Sequence, residues 1–298
     1  MKLDRRSMLR GALASGAAAV AAAVPTPAQA RVARVADAED VGLLYDSTKC
    51  IGCKACVVAC RDANNENTNT AESSSGLWDD PGDLSGWTRN IIKVADIEGG
   101  KTAFLKAQCM HCTDPACVSA CMLGALHKDK FGIVAYDKDT CVGCRYCQVA
   151  CPFNVPKFQW SSATPQIVKC ELCRHRLAEG KQPGCTTVCP TKAVVFGKRT
   201  ELLAEAHRRL EAEPQKYFPK VYGEKDAGGT ACLLLSAVPF EKLGLPEIGD
   251  HAAPELSETV QHGIYKGFAA PLALYGVLAG VMLRNRKKGT AGEEESHE

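Results

Sequence analysis

The spacing of the cysteines constrains this chain more than any other feature. The chain of 298 residues contains 17 cysteines, and all but Cys232 fall into four groups. The first group has the spacing C-x2-C-x2-C-x3-C, the third repeats it, and the second and fourth have longer insertions between the same ends. The groups, in chain order, are Cys50, Cys53, Cys56 and Cys60; Cys109, Cys112, Cys117 and Cys121; Cys141, Cys144, Cys147 and Cys151; and Cys170, Cys173, Cys185 and Cys189.

This spacing indicates ligands of 4Fe-4S clusters. Three thiolates separated by two residues each can wrap one cluster, and the fourth cysteine of such a run ligates a second cluster. Gly52 and Gly143 lie between ligands, where the backbone must turn tightly and can direct N–H groups toward inorganic sulfide, with simple turn geometry as the alternative. We therefore expect four 4Fe-4S clusters, with all sixteen grouped cysteines as iron ligands and no catalytic residue.

Other uses of these residues are open from spacing alone. Zinc sites also contain C-x2-C pairs, although they do not need the trailing C-x3-C element. Disulfides are common in exported proteins, although adjacent thiols suit long-range bridges poorly. His111 could bind iron as histidines do in Rieske centres, or it could form a hydrogen bond near a cluster or be exposed, as could His127 and His175. Cys232 lies in an apolar stretch and is predicted to be a small buried hydrophobe.

Short strand-like runs beside the cysteine groups predict an α+β fold. They occur at residues 91–94, 103–106, 132–136 and 193–197. Since two repeats form one two-cluster unit, residues 31–200 predict two tandem bacterial-type 2x(4Fe-4S) ferredoxin-like units. Beyond them, the spacing of apolar residues predicts a helix over residues 200–210 capped by Thr200. Residues 201–263 are interpreted as this helix and a connector with one strand at 232–238.

The two ends of the chain predict export and membrane attachment. Arg5 and Arg6 precede an alanine-rich run, which predicts a twin-arginine signal peptide over residues 1–30, with an ordinary secretory signal as the alternative. Residues 267–283 carry no charge, which predicts a transmembrane helix at 264–284, with a buried or interfacial helix as the alternative.

The charges indicate an orientation and exclude one class of partner. Basic residues follow the apolar run, so we expect residues 285–298 to form a cytoplasmic tail and the cysteine-bearing part to lie on the periplasmic side of the membrane. The formal net charge is only +2, and the cysteine-bearing region holds no basic block. Nucleic acid is therefore excluded as a partner.

Several segments together resemble a known family. They are YDSTKCIGCKACVVAC at 45–60, KAQCMHCTDPACVSAC at 106–121, YDKDTCVGCRYCQVACPFNVPKF at 136–158 and VYGEKDAGGT at 221–230. They resemble the four-cluster ferredoxin-type subunits of membrane oxidoreductases, and among these the hydrogenase-2 iron-sulfur subunits of bacteria. Met122 departs from the pattern, because many relatives have proline there.

The resemblance implies a ligand assignment that spacing alone leaves open. In the family the first group pairs with the fourth and the second with the third, so that the first three cysteines of each group share a cluster with the last cysteine of the partner group. The implied ligand sets are Cys50, Cys53 and Cys56 with Cys189; Cys170, Cys173 and Cys185 with Cys60; Cys109, Cys112 and Cys117 with Cys151; and Cys141, Cys144 and Cys147 with Cys121.

The resemblance also implies a function. It implies an electron-transfer subunit between a nickel-iron hydrogenase, with its small and large subunits, and a quinone-reactive integral membrane subunit. A subunit of a molybdopterin oxidoreductase such as formate dehydrogenase is the alternative, and a zinc-stapled structural adaptor is a less favoured one.

Overall fold

The computed structural model describes residues 34–64, 83–97, 100–259 and 274–284. The predicted signal peptide at 1–30 and the predicted tail at 285–298 lie outside the described residues. The chain divides into two compact units, one formed by Ala33–Pro254 and the other by Met1–Val32 together with Glu255–Glu298. The first unit contains all the cysteines.

The described chain contains short strands, most of them paired antiparallel, and short helices, as expected for an α+β fold. The strands are β1 (Val41–Asp46), β2 (Asn90–Ile97), β3 (Lys101–Gln108), β4 (Leu126–Lys128), β5 (Val134–Tyr136), β6 (Lys157–Phe158), β7 (Ile167–Val168), β8 (Val194–Lys198) and β9 (Cys232–Leu235). The helices are α1 (Ala55–Ala63), α2 (Ala116–Ser119), α3 (Tyr146–Ala150), α4 (Arg174–Ala178), α5 (Gly184–Thr187), α6 (Arg199–Ala212), α7 (255–259) and α8 (274–284). Short 3₁₀ helices occur at Asp226–Gly228 and Phe240–Leu243.

A three-stranded sheet in the order β8-β1-β9 brings the two ends of the cysteine-bearing region together. Strand β1 pairs with β8 antiparallel and with β9 parallel. Its Leu43 and Leu44 are 1% and 0% exposed, as expected for a central strand covered on both faces. Because β1 leads into the first cysteine group and β8 follows the fourth, their pairing places these two groups at the same end of the sheet.

The second and third cysteine groups lie in the segments that connect three hairpins, and these hairpins are inserted in the chain between β1 and β8. Strands β2 and β3 form one antiparallel pair, β4 and β5 another, and β6 and β7 a third. The strands predicted at 91–94, 103–106, 132–136 and 193–197 are confirmed, with β2 and β3 longer than predicted and β5 shorter. Strand β3 ends one residue before Cys109, so it fixes the start of the second group.

Helix α6 packs on the central sheet. Its Leu202 and Ala206 are buried in one cluster with Leu44, Leu233 and Leu235. The predicted helix at 200–210 is confirmed, but the Thr200 cap is wrong: α6 begins at Arg199, and Lys198 occupies the N-cap without a side-chain cap hydrogen bond.

The segment after α6 belongs to the cysteine-bearing unit. It was interpreted as a connector to the membrane, yet residues up to Pro254 lie in the same compact unit as the cysteines. The physical reason is β9, whose backbone completes the central sheet beside β1.

The predicted span at 264–284 is described only in its second part. Residues 274–284 form α8, whereas 264–273 lie outside the described residues. Within the described ranges, no helix has both the length and the apolar character needed to cross a membrane.

Candidate metal centres

The four cysteine groups contain the same backbone turn. The residue before the second cysteine of each group has a positive φ: +69° at Gly52, +48° at His111, +70° at Gly143 and +51° at Leu172. Glycine adopts this conformation freely, whereas it costs other residues about 1–2 kcal/mol. A leucine and a histidine keep it here, so the surrounding loop imposes the turn in all four groups.

This turn directs backbone N–H groups at sulfur. The N–H of Gly143 donates to Cys141 Sγ at 3.4 Å, and the N–H of Leu172 donates to Cys170 Sγ at 3.4 Å. Donors of this kind stabilise negative charge on a ligating sulfur and tune the potential of a bound cluster. At Gly143 the acceptor is a cysteine sulfur, so donation from glycine N–H groups to inorganic sulfide stays a prediction.

Two of the implied ligand sets each line one cavity. We call them set 1 (Cys50, Cys53, Cys56 and Cys189) and set 4 (Cys121, Cys141, Cys144 and Cys147). The cavity of set 1 is also lined by Tyr45 and Lys106, and that of set 4 by Tyr136 and Ile167. Each cavity thus gathers four thiols from two cysteine groups distant in sequence.

The resemblance assigns the remaining cysteines to two further sets, of which the first is buried and the second is buried or half-buried. They are set 2 (Cys60, Cys170, Cys173 and Cys185) and set 3 (Cys109, Cys112, Cys117 and Cys151). Burial raises the pKa of Cys185 to about 11, with Lys106 opposing and the nearby Cys170 and Cys173 adding to it. Burial likewise raises the pKa of Cys112 well above its usual value, and Cys109, Cys151 and Cys117 add to the effect. Cys60 is brought toward set 2 by α1, which packs against α5.

Thiols of different sets also lie close enough to influence each other, and this gives the order of the sets. Burial raises the pKa of Cys56 to about 11, and Cys185 of set 2 adds to it. The same holds for Cys170, raised to about 11, with Cys109 of set 3 contributing. Burial raises the pKa of Cys117 to about 12, and Cys147 of set 4 contributes. The sets therefore follow one another from 1 to 4.

Exposure differs between the ends and the middle of this row. Set 1 contains the exposed Cys53 and set 4 the exposed Cys144, whereas every cysteine of set 2 is buried. Set 3 combines buried and half-buried thiols. The row is thus open to the surface at both ends and enclosed in the middle.

The chemistry of the sets fits iron-sulfur clusters. Among the residues that line the cavities of sets 1 and 4, sulfur is the donor and no carboxylate or imidazole takes part. Within the described ranges, no three His, Cys, Asp or Glu side chains converge closely enough to hold a single metal ion. A cubane binds its four cysteines on four different irons, so its ligands can stand further apart than those of one ion. Thiolate sets of this kind fit the group.

Buried lysines beside the sets were missed in the sequence. Lys106 and Lys169 are 4% and 2% exposed. The Lys169 ammonium donates to the carbonyl oxygens of Val134 and Cys170. Two features of the sequence could have indicated them: Lys106 lies in the apolar run ahead of Cys109, and Lys169 directly precedes Cys170.

His111 and Cys232 each make specific contacts in the interior. His111 is fully buried, and its Nδ1 accepts a hydrogen bond from the N–H of Val134 at 3.1 Å. The predicted exposure of His111 is therefore wrong. Its hydrogen bond is with a backbone N–H and not with a cysteine ligand, so a hydrogen bond near a cluster stays a prediction. Burial lowers the pKa of His111 well below its usual value. Cys232 is buried as predicted, but its Sγ also donates to the carbonyl oxygen of Cys109 at 3.3 Å.

Similarity to known proteins agrees with this reading of the cysteines. Residues 101–199 match the 4Fe-4S dicluster domain. Together with the fold and the sulfur sets, this match defines the class: the chain is an iron-sulfur protein of the ferredoxin type, and it binds 4Fe-4S clusters rather than structural zinc.

Individual relatives define the family more narrowly. The chain is 41% identical over 331 residues to the hydrogenase-2 operon protein HybA of Escherichia coli O157:H7, covering 99% of this chain and 100% of that protein. It is 35% identical over 250 residues to the formate dehydrogenase-O iron-sulfur subunit of Escherichia coli strain K12, covering 81% and 80%. It is 37% identical over 187 residues to the probable anaerobic dimethyl sulfoxide reductase chain YnfG of the same strain, covering 60% and 84%. The chain belongs to the HybA family of iron-sulfur electron-transfer subunits.

Proposed function

We propose that this chain carries electrons between a nickel-iron hydrogenase, with its small and large subunits, and a quinone-reactive integral membrane subunit. The similarity to the hydrogenase-2 operon protein HybA over nearly the whole chain supports hydrogen as the electron source. The observation that carries the proposal is the row of four sulfur sets, with exposed Cys53 at one end and exposed Cys144 at the other. A row that reaches the surface at two places has one end for each partner.

The ligand assignment is part of this proposal. We infer that each of sets 1 to 4 holds one 4Fe-4S cluster, which when bound supplies reversible one-electron exchange at iron. The chain's own residues determine where this exchange can occur. Loops with positive φ turn the thiols inward, and backbone N–H groups at Gly143 and Leu172 stabilise charge on sulfur. The packed interior around sets 2 and 3 excludes water from the middle of the row.

The surfaces around the two end sets are apolar and suit protein contacts. Ile51 next to set 1 is 59% exposed, and Met122 and Val142 next to set 4 are 79% and 72% exposed. Exposed apolar side chains of this size mark interaction sites when they cluster. We assign these two surfaces to the catalytic and membrane partners without assigning which partner meets which end.

The location of the chain follows from its two ends. We propose export by the signal at 1–30, a single-pass anchor at 264–284, a cytoplasmic tail at 285–298 and a head on the periplasmic side of the membrane. Deletion of residues 264–298 should then release a soluble, cluster-loaded head that no longer couples to quinone. A truncated chain that still sediments with membranes would assign the attachment to partner contacts.

Metal analysis of the full-length chain, purified away from its partners, tests the assignment of the clusters. We expect about sixteen irons and about sixteen acid-labile sulfides per chain. Cys53→Ala and Cys144→Ala should each lose about four irons, because each removes a ligand of one cluster. Cys232→Ala is the matched control, since this buried cysteine belongs to no set, and it should keep its iron. Stoichiometric zinc with little sulfide would refute the assignment.

The metal of the co-purifying partner distinguishes the two candidate donors. Nickel in the complex supports the hydrogenase assignment. Molybdenum would instead assign the chain to a molybdopterin oxidoreductase, the alternative that the 35% identity to the formate dehydrogenase-O iron-sulfur subunit favours.

A further inference from the structure

A buried positive charge lies between sets 1 and 2. Lys106 on β3 is 4% exposed and lines the cavity of set 1. Burial lowers the pKa of Lys106, and the thiols of Cys185, Cys56, Cys170 and Cys60 raise it. The side chain of Lys106 therefore lies close to cysteines of both set 1 and set 2.

The amide of Gln108 and the thiol of Cys232 hold this ammonium in place. Lys106 Nζ donates to Gln108 Oε1, and Gln108 Nε2 donates to Cys232 Sγ at 3.4 Å. Cys232 Sγ in turn donates to the carbonyl oxygen of Cys109, the first cysteine of set 3. Residues 106 and 108 are two apart on one strand, so their side chains share a face. A continuous buried chain of hydrogen bonds thus runs from the cation to set 3.

No carboxylate neutralises this cation. Within the part of the chain that the structure describes, the salt bridges of lysine and arginine involve other residues, and the side-chain hydrogen bond of Lys106 goes to a neutral amide. An unpaired buried ammonium is costly, by several kcal/mol for an ion taken out of water. Its retention requires negative charge nearby, and the adjacent thiolate sets supply it.

We propose that the positive charge of Lys106, oriented by Gln108 and Cys232, stabilises the reduced state of the clusters held by sets 1 and 2. It thereby raises the reduction potentials of these two clusters. The inference rests on the proposed assignment of clusters to these sets. A fixed positive charge stabilises the state with one more electron, because reduction adds one negative charge close to the ammonium. The electron comes from the neighbouring set or, in a titration, from dithionite. No bond forms or breaks, and Lys106 keeps its proton.

A redox titration of the complete membrane-bound complex, followed by electron paramagnetic resonance, tests this role. Lys106→Met removes the charge. Gln108→Glu keeps the lysine and the side-chain volume but places a carboxylate beside the ammonium. Lys106→Arg keeps the charge. Lys93→Met is the matched control, because Lys93 lies on the partner strand of the same hairpin and pairs with Asp83 at the surface at 2.8 Å.

We expect Lys106→Met and Gln108→Glu to lower the midpoint potentials of two of the four clusters. Each should shift the one-electron reduction equilibrium at least tenfold, which corresponds to 59 mV. Lys106→Arg should restore most of the shift, and Lys93→Met should leave all four potentials unchanged.

Several results would overturn the role of Lys106. Unchanged potentials in a fully loaded Lys106→Met variant would do so, as would equal shifts in Lys106→Met and Lys106→Arg. Loss of iron from both Lys106→Met and Gln108→Glu would assign the residues to holding the fold, and would also overturn it. A wild-type complex without four clusters would instead refute the proposed function, so the two failures are distinct.

Discussion

A buried carboxylate joins the first cysteine loop to α6, and its ion pair can be tested directly. Asp46, at the end of β1, has a fully buried side chain and accepts from Arg209 Nη1 at 3.0 Å. It also accepts from the hydroxyls of Tyr217 at 2.9 Å and Thr48 at 2.6 Å. Since Cys50 follows four residues later, this network holds the entry to set 1 against the helix.

Arg209→Met leaves the Asp46 carboxylate buried without its cation. Breaking a buried ion pair on one side typically costs about 3–5 kcal/mol. Tyr217 and Thr48 still donate to the carboxylate, so we expect a loss at the lower end of this range, about 3 kcal/mol. For a unit of this size, such a loss corresponds to a decrease of about 6–12 °C in Tm. Arg208→Met is the matched control, because Arg208 lies on the same helix, is 67% exposed and forms its ion pair with Glu205 at the surface.

The assay is the apparent Tm of the cluster-loaded chain under anaerobic conditions, measured for wild type and each variant at one scan rate. Arg208→Met should change it by less than about 4 °C, because an exposed pair contributes about 1 kcal/mol or less. The double variant Asp46→Asn with Arg209→Met removes both charges and should recover most of the loss. Equal Tm values for Arg209→Met and Arg208→Met would refute the reasoning, as would a double variant no more stable than Arg209→Met.

Two glycines give further predictions. A methyl group at Gly52 would lie 2.4 Å from the ring of Phe104, so Gly52→Ala should lower the apparent Tm more than Gly180→Ala, which has a similar positive φ but open space around it. Equal Tm losses would show that backbone strain alone is involved. A side chain at Gly184 would lie 2.7 Å from the backbone oxygen of Ala59, so Gly184→Val should separate α5 from α1 and remove about four irons, those of set 2. Full iron content in that variant would contradict the role of this helix contact.

The cysteine spacing was sufficient to predict the local chemistry, because the turn is a local property. Between the two cysteines of a C-x2-C pair, the backbone must reverse its direction. The same positive φ recurs where the intervening residue is Gly52, His111 or Leu172. The predicted strands next to the groups were also local, since runs such as 103–106 carry β-branched or aromatic residues bounded by turns.

The pairing of distant groups could not be derived from spacing. Any of the four groups could exchange its last cysteine with any other, and the family resemblance supplied the choice. The structure provides a physical reason: β1 pairs with β8 in the register Leu44 to Val195, which places Cys50 and Cys189 beside one cavity. Register depends on contacts between segments about 150 residues apart, and local propensity contains no information about it.

The same limit explains why residues 201–263 are interpreted from the sequence as a helix and a connector. Strand β9 is only four residues long, and it joins the sheet as a parallel partner of β1. Its residues Leu233 and Leu235 are fully buried against α6, a contact that the apolar pattern predicts only as burial. The role of Lys106 was equally hidden, since a lysine in a strand normally predicts an exposed position.

The distribution of lysines follows the burial of the sulfur sets. Each electron on a cluster adds negative charge, and the free energy of that charge is lowered by water at the surface or by a cation in the interior. The end sets reach water through the exposed Cys53 and Cys144. The inner sets have less access, since every cysteine of set 2 is buried. Lys106 lies between the end set 1 and the inner set 2, and Lys169 lies near Cys117 of set 3. With solvent at the ends of the row and ammonium groups between its sets, the reduction potentials of the inner clusters can stay close to those of the outer clusters. An electron can then cross the enclosed part of the chain without a large barrier. Removal of the inner cations should therefore slow transfer along the row more than removal of any surface charge.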